Sequence, residues 1–174
     1  SENGDSLDVI CKIYVTKFEG SRWSNATLLG EGINEDGSNT QPFVAKLGKK
    51  EILFFSSNRK LQSRGGYDIW YSVIDPRNGT YRRPQNAGKS INTEGDEQTP
   101  YYDDRVNKLY FASNGWVTMG GFDIFSADGG PSRYQNLTNL GYPINTSADE
   151  LYFIKDQLGK PDAYVVSNRI GSIA

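Results

Sequence analysis

Ser57-Asn58-Arg59, followed by Gly65-Gly66-Tyr67-Asp68-Ile69-Trp70, decides how this chain is read, because the same pattern returns downstream. Ser113-Asn114-Gly115 precedes Gly120-Gly121-Phe122-Asp123-Ile124-Phe125, and Ser167-Asn168-Arg169 closes the series. The Ser-Asn pair recurs after 56 and then 54 residues. A second motif keeps step with the first: Ile33-Asn34 with Asp36, Ile91-Asn92 with Asp96-Glu97, and Ile144-Asn145 with Asp149-Glu150. Two motifs sharing one period describe a repeat architecture, in which each unit buries its faces only against its neighbours.

Within a period, short apolar and aromatic runs alternate with turn residues. Pro42-Phe43-Val44-Ala45, Ile52 to Ser56 and Tyr67 to Val73 are separated by Lys49-Lys50 and Gly65-Gly66, and Asp75-Pro76-Arg77-Asn78-Gly79 follows. β-branched and aromatic residues bounded by Gly, Pro, Asn and Asp mark strands, and no stretch sustains a helical period. Four strands fit each repeat: A at Thr99-Pro100-Tyr101-Tyr102, B at Leu109-Tyr110-Phe111-Ala112, C at Phe122-Asp123-Ile124-Phe125, and D around Tyr134 to Leu140. The expected fold is therefore all-β, with four-stranded antiparallel meanders as the blades of a β-propeller.

The register extends to both ends. Lys12-Ile13-Tyr14-Val15 aligns with Asp123-Ile124-Phe125-Ser126, and Ile33-Asn34 with Ile144-Asn145, without a gap, so the chain opens at strand C. It closes after strand B, at Ala163 to Arg169. The expected organisation is a polar segment over 1–8, then a propeller segment over 9–174: strands C-D in 9–39, blades in 40–97 and 98–149, and strands A-B in 150–174. That supplies about three blade equivalents, whereas closed propellers hold roughly 4–8. The missing blades of a 6–8-bladed ring are expected from the rest of a longer chain or from a second copy.

The Ser-Asn-Arg, Gly-Gly and Asp-Ile elements together resemble the TolB-type, WD-repeat-like β-propeller, and the resemblance covers nearly the whole chain. With Ile-Asn-Thr and Asp-Glu ahead of strand A, the chain is similar to propellers of Gram-negative envelope proteins that also carry tetratricopeptide and OmpA-like peptidoglycan-binding domains. One such lipoprotein belongs to the type IX secretion apparatus. The resemblance implies a scaffold that binds a protein partner in the periplasm or cell envelope. Lys12 stands where the motif has Asp, Gly115 where it has Arg, and neither accompanying domain is present in these residues.

Charge and composition narrow the classes. A net charge of −2 without a Lys/Arg cluster argues against nucleic acid as the partner. No apolar run reaches the length of a membrane-spanning helix, so direct membrane insertion is not expected. Cys11 is the sole cysteine and forms no internal disulfide. With no histidine in the chain, Ser-His-Asp and Cys-His catalysis and the usual zinc sites drop out. No phosphate-binding glycine loop is found, and no metal or cofactor is expected.

Carboxylate pairs remain, because glycoside cleavage needs only two acids flanking the bond. Asp96-Glu97 and Asp149-Glu150 recur once per repeat, which fits a fastener between repeats better than a catalytic pair; Asp103-Asp104 is a third adjacent pair. Arg59 and Arg169 are expected to reach such acids, Arg59 bridging to Asp96 or Glu97 of the adjoining blade. Asp68 and Asp123 are expected to satisfy backbone donors near the paired glycines. The motif residues are thus read as structural: Ser57, Asn58, Arg59, Ser113, Asn114, Ser167, Asn168 and Arg169, with the acids named. The departure that reads as function is Gly115-Trp116-Val117-Thr118-Met119, an apolar loop between strands B and C. Trp116, Val117 and Met119 are the candidate binding residues, since aromatic and Met side chains favour interfaces. The rival readings are a carbohydrate-active propeller, marked by two unrepeated acids converging in a pocket, and the regulatory propeller of a prolyl-oligopeptidase-like peptidase.

Overall fold

The computed structural model describes residues 9–156, 158 and 160–171, so the polar segment 1–8 lies outside the described residues. The fold is all-β. β1 (Tyr14–Val15) and β2 (Thr27–Leu28) form a first sheet, followed by the single helical turn α1 (Glu31–Asn34). β3 (Asn39–Leu47), β4 (Lys50–Ser57), β5 (Asp68–Ile74) and β6 (Gln85–Asn86) form a second sheet in chain order. β7 (Glu97–Asp103), β8 (Lys108–Ser113), β9 (Asp123–Gly130) and β10 (Arg133–Asn139) repeat it as a third. β11 (Glu150–Lys155) and β12 (Ala163–Ser167) make the fourth. Every pairing is antiparallel.

The apolar runs of the middle strands follow from burial on both faces. Along β4, Leu53 and Phe55 turn toward the first sheet with Ile13, Leu29 and Trp70, while Ile52 and Phe54 turn toward the third with Tyr102, Leu109 and Phe111. Along β8, Phe111 packs back onto the second sheet and Tyr110 forward onto Phe153 of the fourth, with ring centroids 5.0 Å apart. A strand with two covered faces loses the alternation of apolar and polar residues, because neither set meets water. Phe54 stacked on Tyr102 at 5.6 Å and Phe43 edge-on to Tyr101 at 5.1 Å show the second and third sheets interleaving.

The first strand of each of the last three sheets carries the same irregularity. The register slips between Thr40 and Phe43 in β3, between Gln98 and Tyr101 in β7, and between Leu151 and Ile154 in β11. The residue at each slip has a left-handed backbone: Gln41 at φ +53, Thr99 at +52 and Tyr152 at +54. The bulge frees backbone donors from the ladder, and those donors reach the preceding sheet. Thr99 N–H donates to Gln41 Oε1 at 2.9 Å, and Tyr152 N–H to Thr99 Oγ1 at 3.3 Å. β3, β7 and β11 thus follow one another in a stepped row.

The expected strands all form, with strand D the least regular. In the third sheet it is continuous as β10, but in the second it shrinks to β6 and a bridge between Ile74 and Tyr81. The helical turn α1 departs from the strands expected throughout. It has counterparts at Gly88 to Asn92 and Gly141 to Asn145, where the Asn N–H donates to the glycine carbonyl at 2.9 Å in both.

Candidate functional site: the face built by the repeat motifs

The two motifs meet at one end of the sheets, where strand B leads to strand C and strand D leads to strand A. Each Ile-Asn turn aims its Asn at the Ile that opens strand C. Asn92 accepts from Ile69 N–H at 2.8 Å and donates to Ile69 C=O at 2.9 Å. Asn34 treats Ile13 the same way, and so does Asn145 with Ile124. The amide copies a backbone rung where no strand is available, and all three sites are buried. The sequence repeats these asparagines without revealing the role; their spacing from Asp-Ile was the available signal.

The Asp-Glu element does fasten successive sheets, through the backbone. Asp96 Oδ1 accepts from Tyr67 N–H at 2.7 Å, and Asp149 Oδ1 from Phe122 N–H at 2.9 Å, each crossing to the sheet before it. The paired glycines answer this approach: a Cβ on Gly66 or Gly121 would lie 2.1 Å from that Asp Oδ1. In the first junction, Ser38 and not Asp36 takes the Asp place, its Oγ accepting from Cys11 N–H at 3.1 Å. Asp36 instead accepts from Gly37 and Lys60 N–H groups, which hold its carboxyl below the ordinary range. The Asn of each Ser-Asn pair completes the join: Asn58, Asn114 and Asn168 accept from Ser38, Asp96 and Asp149 N–H.

Strand C acids take nearby donors as expected, although Asp68 does so through Oδ2 alone and its buried Oδ1 has no partner among the described residues. Asp68 accepts from Arg64 N–H, Ser63 and Asn86, and Asp123 from Met119 N–H, Gly120 N–H and Asn139. Burial pushes the Asp68 carboxyl up against those bonds. At the equivalent place Lys12 donates to the Asn34 and Gly37 carbonyls instead.

The expected bridge from Arg59 to Asp96 or Glu97 is not formed. Arg59 turns instead to the connection that leads into its own sheet, donating to Gly32 C=O, Ile33 C=O and Asn39 Oδ1 as well as to Ser57 Oγ, and lies 4.8 Å over the Trp70 ring. A planar fork of donors suits that ring of carbonyls as well as it suits a carboxylate. Arg169 does the same at Pro143 and Ile144, and there meets an acid: Glu150 Oε1 at 3.0 Å, in its own sheet. Asn39, Glu97 and Glu150 are therefore one structural position.

Between them lies Gly115, with no guanidinium. A Cβ there would come within 1.8 Å of Thr93 Oγ1. Trp116 supplies the missing donor, its indole N–H reaching Ile91 C=O at 2.9 Å where Arg59 and Arg169 reach Ile33 and Ile144. Of the three candidate contact residues, then, Trp116 is half-buried against the core, while Val117 and Met119 face solvent, Val117 being 90 % exposed.

Glu97 is left fully buried beside Thr93 and Ser113 with no cation paired to it among the described residues. Burial pushes its carboxyl above the ordinary range despite those hydrogen bonds. For Glu150 burial acts in the same sense, but Thr146, Ser167 and the Arg169 guanidinium outweigh it and hold the carboxyl below. Asp103, at the β7–β8 turn, is held low by Arg105 at 2.9 Å.

Clefts of about 190, 600 and 700 Å³ open at the three junctions of this face. Around them stand exposed apolar side chains from separate loops: Leu61, Val117, Met119, Tyr142 and Ile170. No cluster of three metal-ligating side chains occurs among the described residues, and no helix is long and apolar enough to cross a membrane. No protein-family model, no curated protein and no solved structure matches the chain.

Proposed function

We propose that this chain is a β-propeller segment whose motif face is a non-catalytic docking surface for a protein of the bacterial cell envelope. The propeller reading is supported by the stepped row of β3, β7 and β11, which would line the ring axis, and by sheets stacked face on face in chain order. The observation that carries the role is a division of labour on the motif face. Its acids and amides are engaged in backbone hydrogen bonds, whereas the loops they anchor present Leu61, Val117, Met119, Tyr142 and Ile170 to solvent. Apolar side chains held on rigid anchors suit a protein partner, with little ordering left to do on binding. The envelope setting rests on the sequence resemblance.

The test compares the chain with Val117→Ser/Met119→Ser as bait against a Gram-negative envelope fraction, with chemical cross-linking and mass spectrometry. The double variant is expected to keep its Tm and lose a discrete cross-linked protein, while Trp116→Ala lowers the Tm through lost packing. Equal capture by both baits, or saturable binding of peptidoglycan fragments in place of protein, would overturn this reading.

A further inference from the structure

At the end of the sheets away from the motif face, where strand A turns into B and strand C leads to D, four cations line one cleft: Lys49, Lys50, Arg82 and Arg83. The cleft holds about 490 Å³, and no carboxylate lines it. Its apolar wall includes Ile52, Tyr71 and Val73 of the second sheet, and the β9–β10 turn of the third sheet borders it. There the sheets touch: a Cβ on Gly130 would lie 3.4 Å from Leu47 Cδ2.

The short strand D of the second sheet leaves this space. β10 pairs with β9 out to Gly130, whereas β6 pairs only with Trp70 and Tyr71 of β5. Beyond them the backbone of Arg82 is pinned, its N–H donating to Val73 C=O at 2.9 Å and its C=O accepting from Ser72 Oγ. Lys49-Lys50 and Arg82-Arg83 are two short pairs in the sequence, and the pairing of β4 with β5 brings them to one cleft.

Where this fold uses a cation structurally, it supplies partners: carbonyls for Arg59 and Arg169, Asp103 for Arg105. Lys49, Lys50, Arg82 and Arg83 make no ion pair or side-chain hydrogen bond among the described residues. Asp128, an acid at this end of the third sheet, is already held by Lys108 at 2.8 Å. Charges of one sign around a cleft with apolar walls focus the field and draw the opposite charge, and guanidinium forks fit phosphate or carboxylate oxygens in pairs. The core cluster that contains Ile52 and Tyr71 also holds an unused donor, the buried Tyr134 hydroxyl, which has no partner among the described residues.

We propose that this cleft binds a small organic anion: a doubly charged oxyanion head, such as a phosphate monoester, held by the two arginines and two lysines, on an apolar body laid against Ile52, Tyr71 and Val73. The volume suits such a ligand, since small-molecule sites span roughly 300–1,000 Å³ and combine apolar walls with a few polar groups. The site lies at the opposite end from the docking face proposed above and stands without the propeller reading, because all its residues belong to the second and third sheets.

The test is calorimetric titration with naphthyl phosphate, with inorganic phosphate supplying the charge alone and naphthol the ring alone. One naphthyl phosphate per chain is expected, with a Kd below about 1 mM, and weaker binding of either fragment. Arg82→Gln/Arg83→Gln and Lys49→Gln/Lys50→Gln should each weaken naphthyl phosphate by about tenfold or more and leave the Tm unmoved, because all four side chains are exposed. Should the arginine pair fail to fold, the lysine pair reads the same contact. Val117→Ser/Met119→Ser should bind the probe like the parent, so loss of envelope-protein capture bears on the docking face alone. Unchanged affinity in the charge variants, or inorganic phosphate binding as tightly as naphthyl phosphate, overturns the site and leaves four solvated cations. Binding to phosphatidylglycerol vesicles with none to naphthyl phosphate also overturns it.

Discussion

Glu97 and Glu150 accept the same hydrogen bonds from a Thr four residues upstream and from the Ser of the Ser-Asn pair, yet Arg169 stands beside only one of them. A folded-state pKa above the unfolded one means the native state keeps its proton longer. Glu97 therefore contributes less stability as pH climbs through the interval between the two values. The depressed Glu150 works in the opposite sense: its contribution is present at neutral pH and lost as pH falls through the depressed value. Glu150→Gln should cost about 1.5–3 kcal/mol at neutral pH, the worth of a hydrogen bond to a charged partner, and less in acid. Glu97→Gln keeps the shape and sheds a buried charge, so it should be better tolerated at neutral pH than in acid. Urea denaturation of both variants and the parent at pH 7 and about pH 4 should show opposite trends; parallel trends would mean the missing guanidinium is not what separates the two acids.

At the level of elements, the short connections hold the sheets as firmly as the strands do. Each Ile-Asn turn lends a side-chain amide to the Ile near the start of strand C, adding a rung to the ladder there. Asn92→Ala leaves Ile69 N–H without a partner in a site where Asn92 itself is 2 % exposed, while Ile69 C=O keeps Ala87 N–H. The expected cost is about 1–3 kcal/mol, one buried donor left unsatisfied. Asn92→Asp should fall close to Ala, because a carboxylate can take the N–H but faces the carbonyl with no donor. Thermal unfolding separates this from a surface role, for which both substitutions would shift the Tm by little. The bulges are the other element-level device. A left-handed Thr99 is strained by its β-branch, and the strain is held because the freed N–H binds Gln41 of the sheet before.

For the whole molecule, stacking sheets in chain order makes each interior sheet a neighbour to two others and each end sheet a neighbour to one. Stability in such an array is the sum of sheets and interfaces, so side chains that reach across an interface matter most: Phe54→Ala, which removes the ring stacked on Tyr102 of the third sheet, is expected to cost about 3–5 kcal/mol in urea denaturation, and a loss under about 1 kcal/mol would mean that the second and third sheets do not support one another.

The linear order of residues determined the period, the four-strand unit, the turn positions and the half-units at the two ends, since each depends on local preference repeated three times. It also determined that Asp68 and Asp123 would serve backbone donors near the paired glycines, because Arg64, Met119 and Gly120 lie within four residues of them; the Asn86 and Asn139 amides, 18 and 16 residues on, came with the fold. What only the tertiary structure decided were partners chosen among equals. Arg59 had acids and carbonyls within conceivable reach, and the guanidinium fits both; packing over Trp70 selected the carbonyls. Trp116 read as an exposed contact because its loop is apolar, but the empty donor place left by Gly115 drew its indole inward. The paired glycines read as a tight turn, whereas the connection into the next sheet is what excludes side chains there: the Thr93–Glu94 and Ala148 backbone against Gly65 and Gly120, and Asp96 and Asp149 against Gly66 and Gly121. Such choices depend on distances between sheets, which no local propensity encodes.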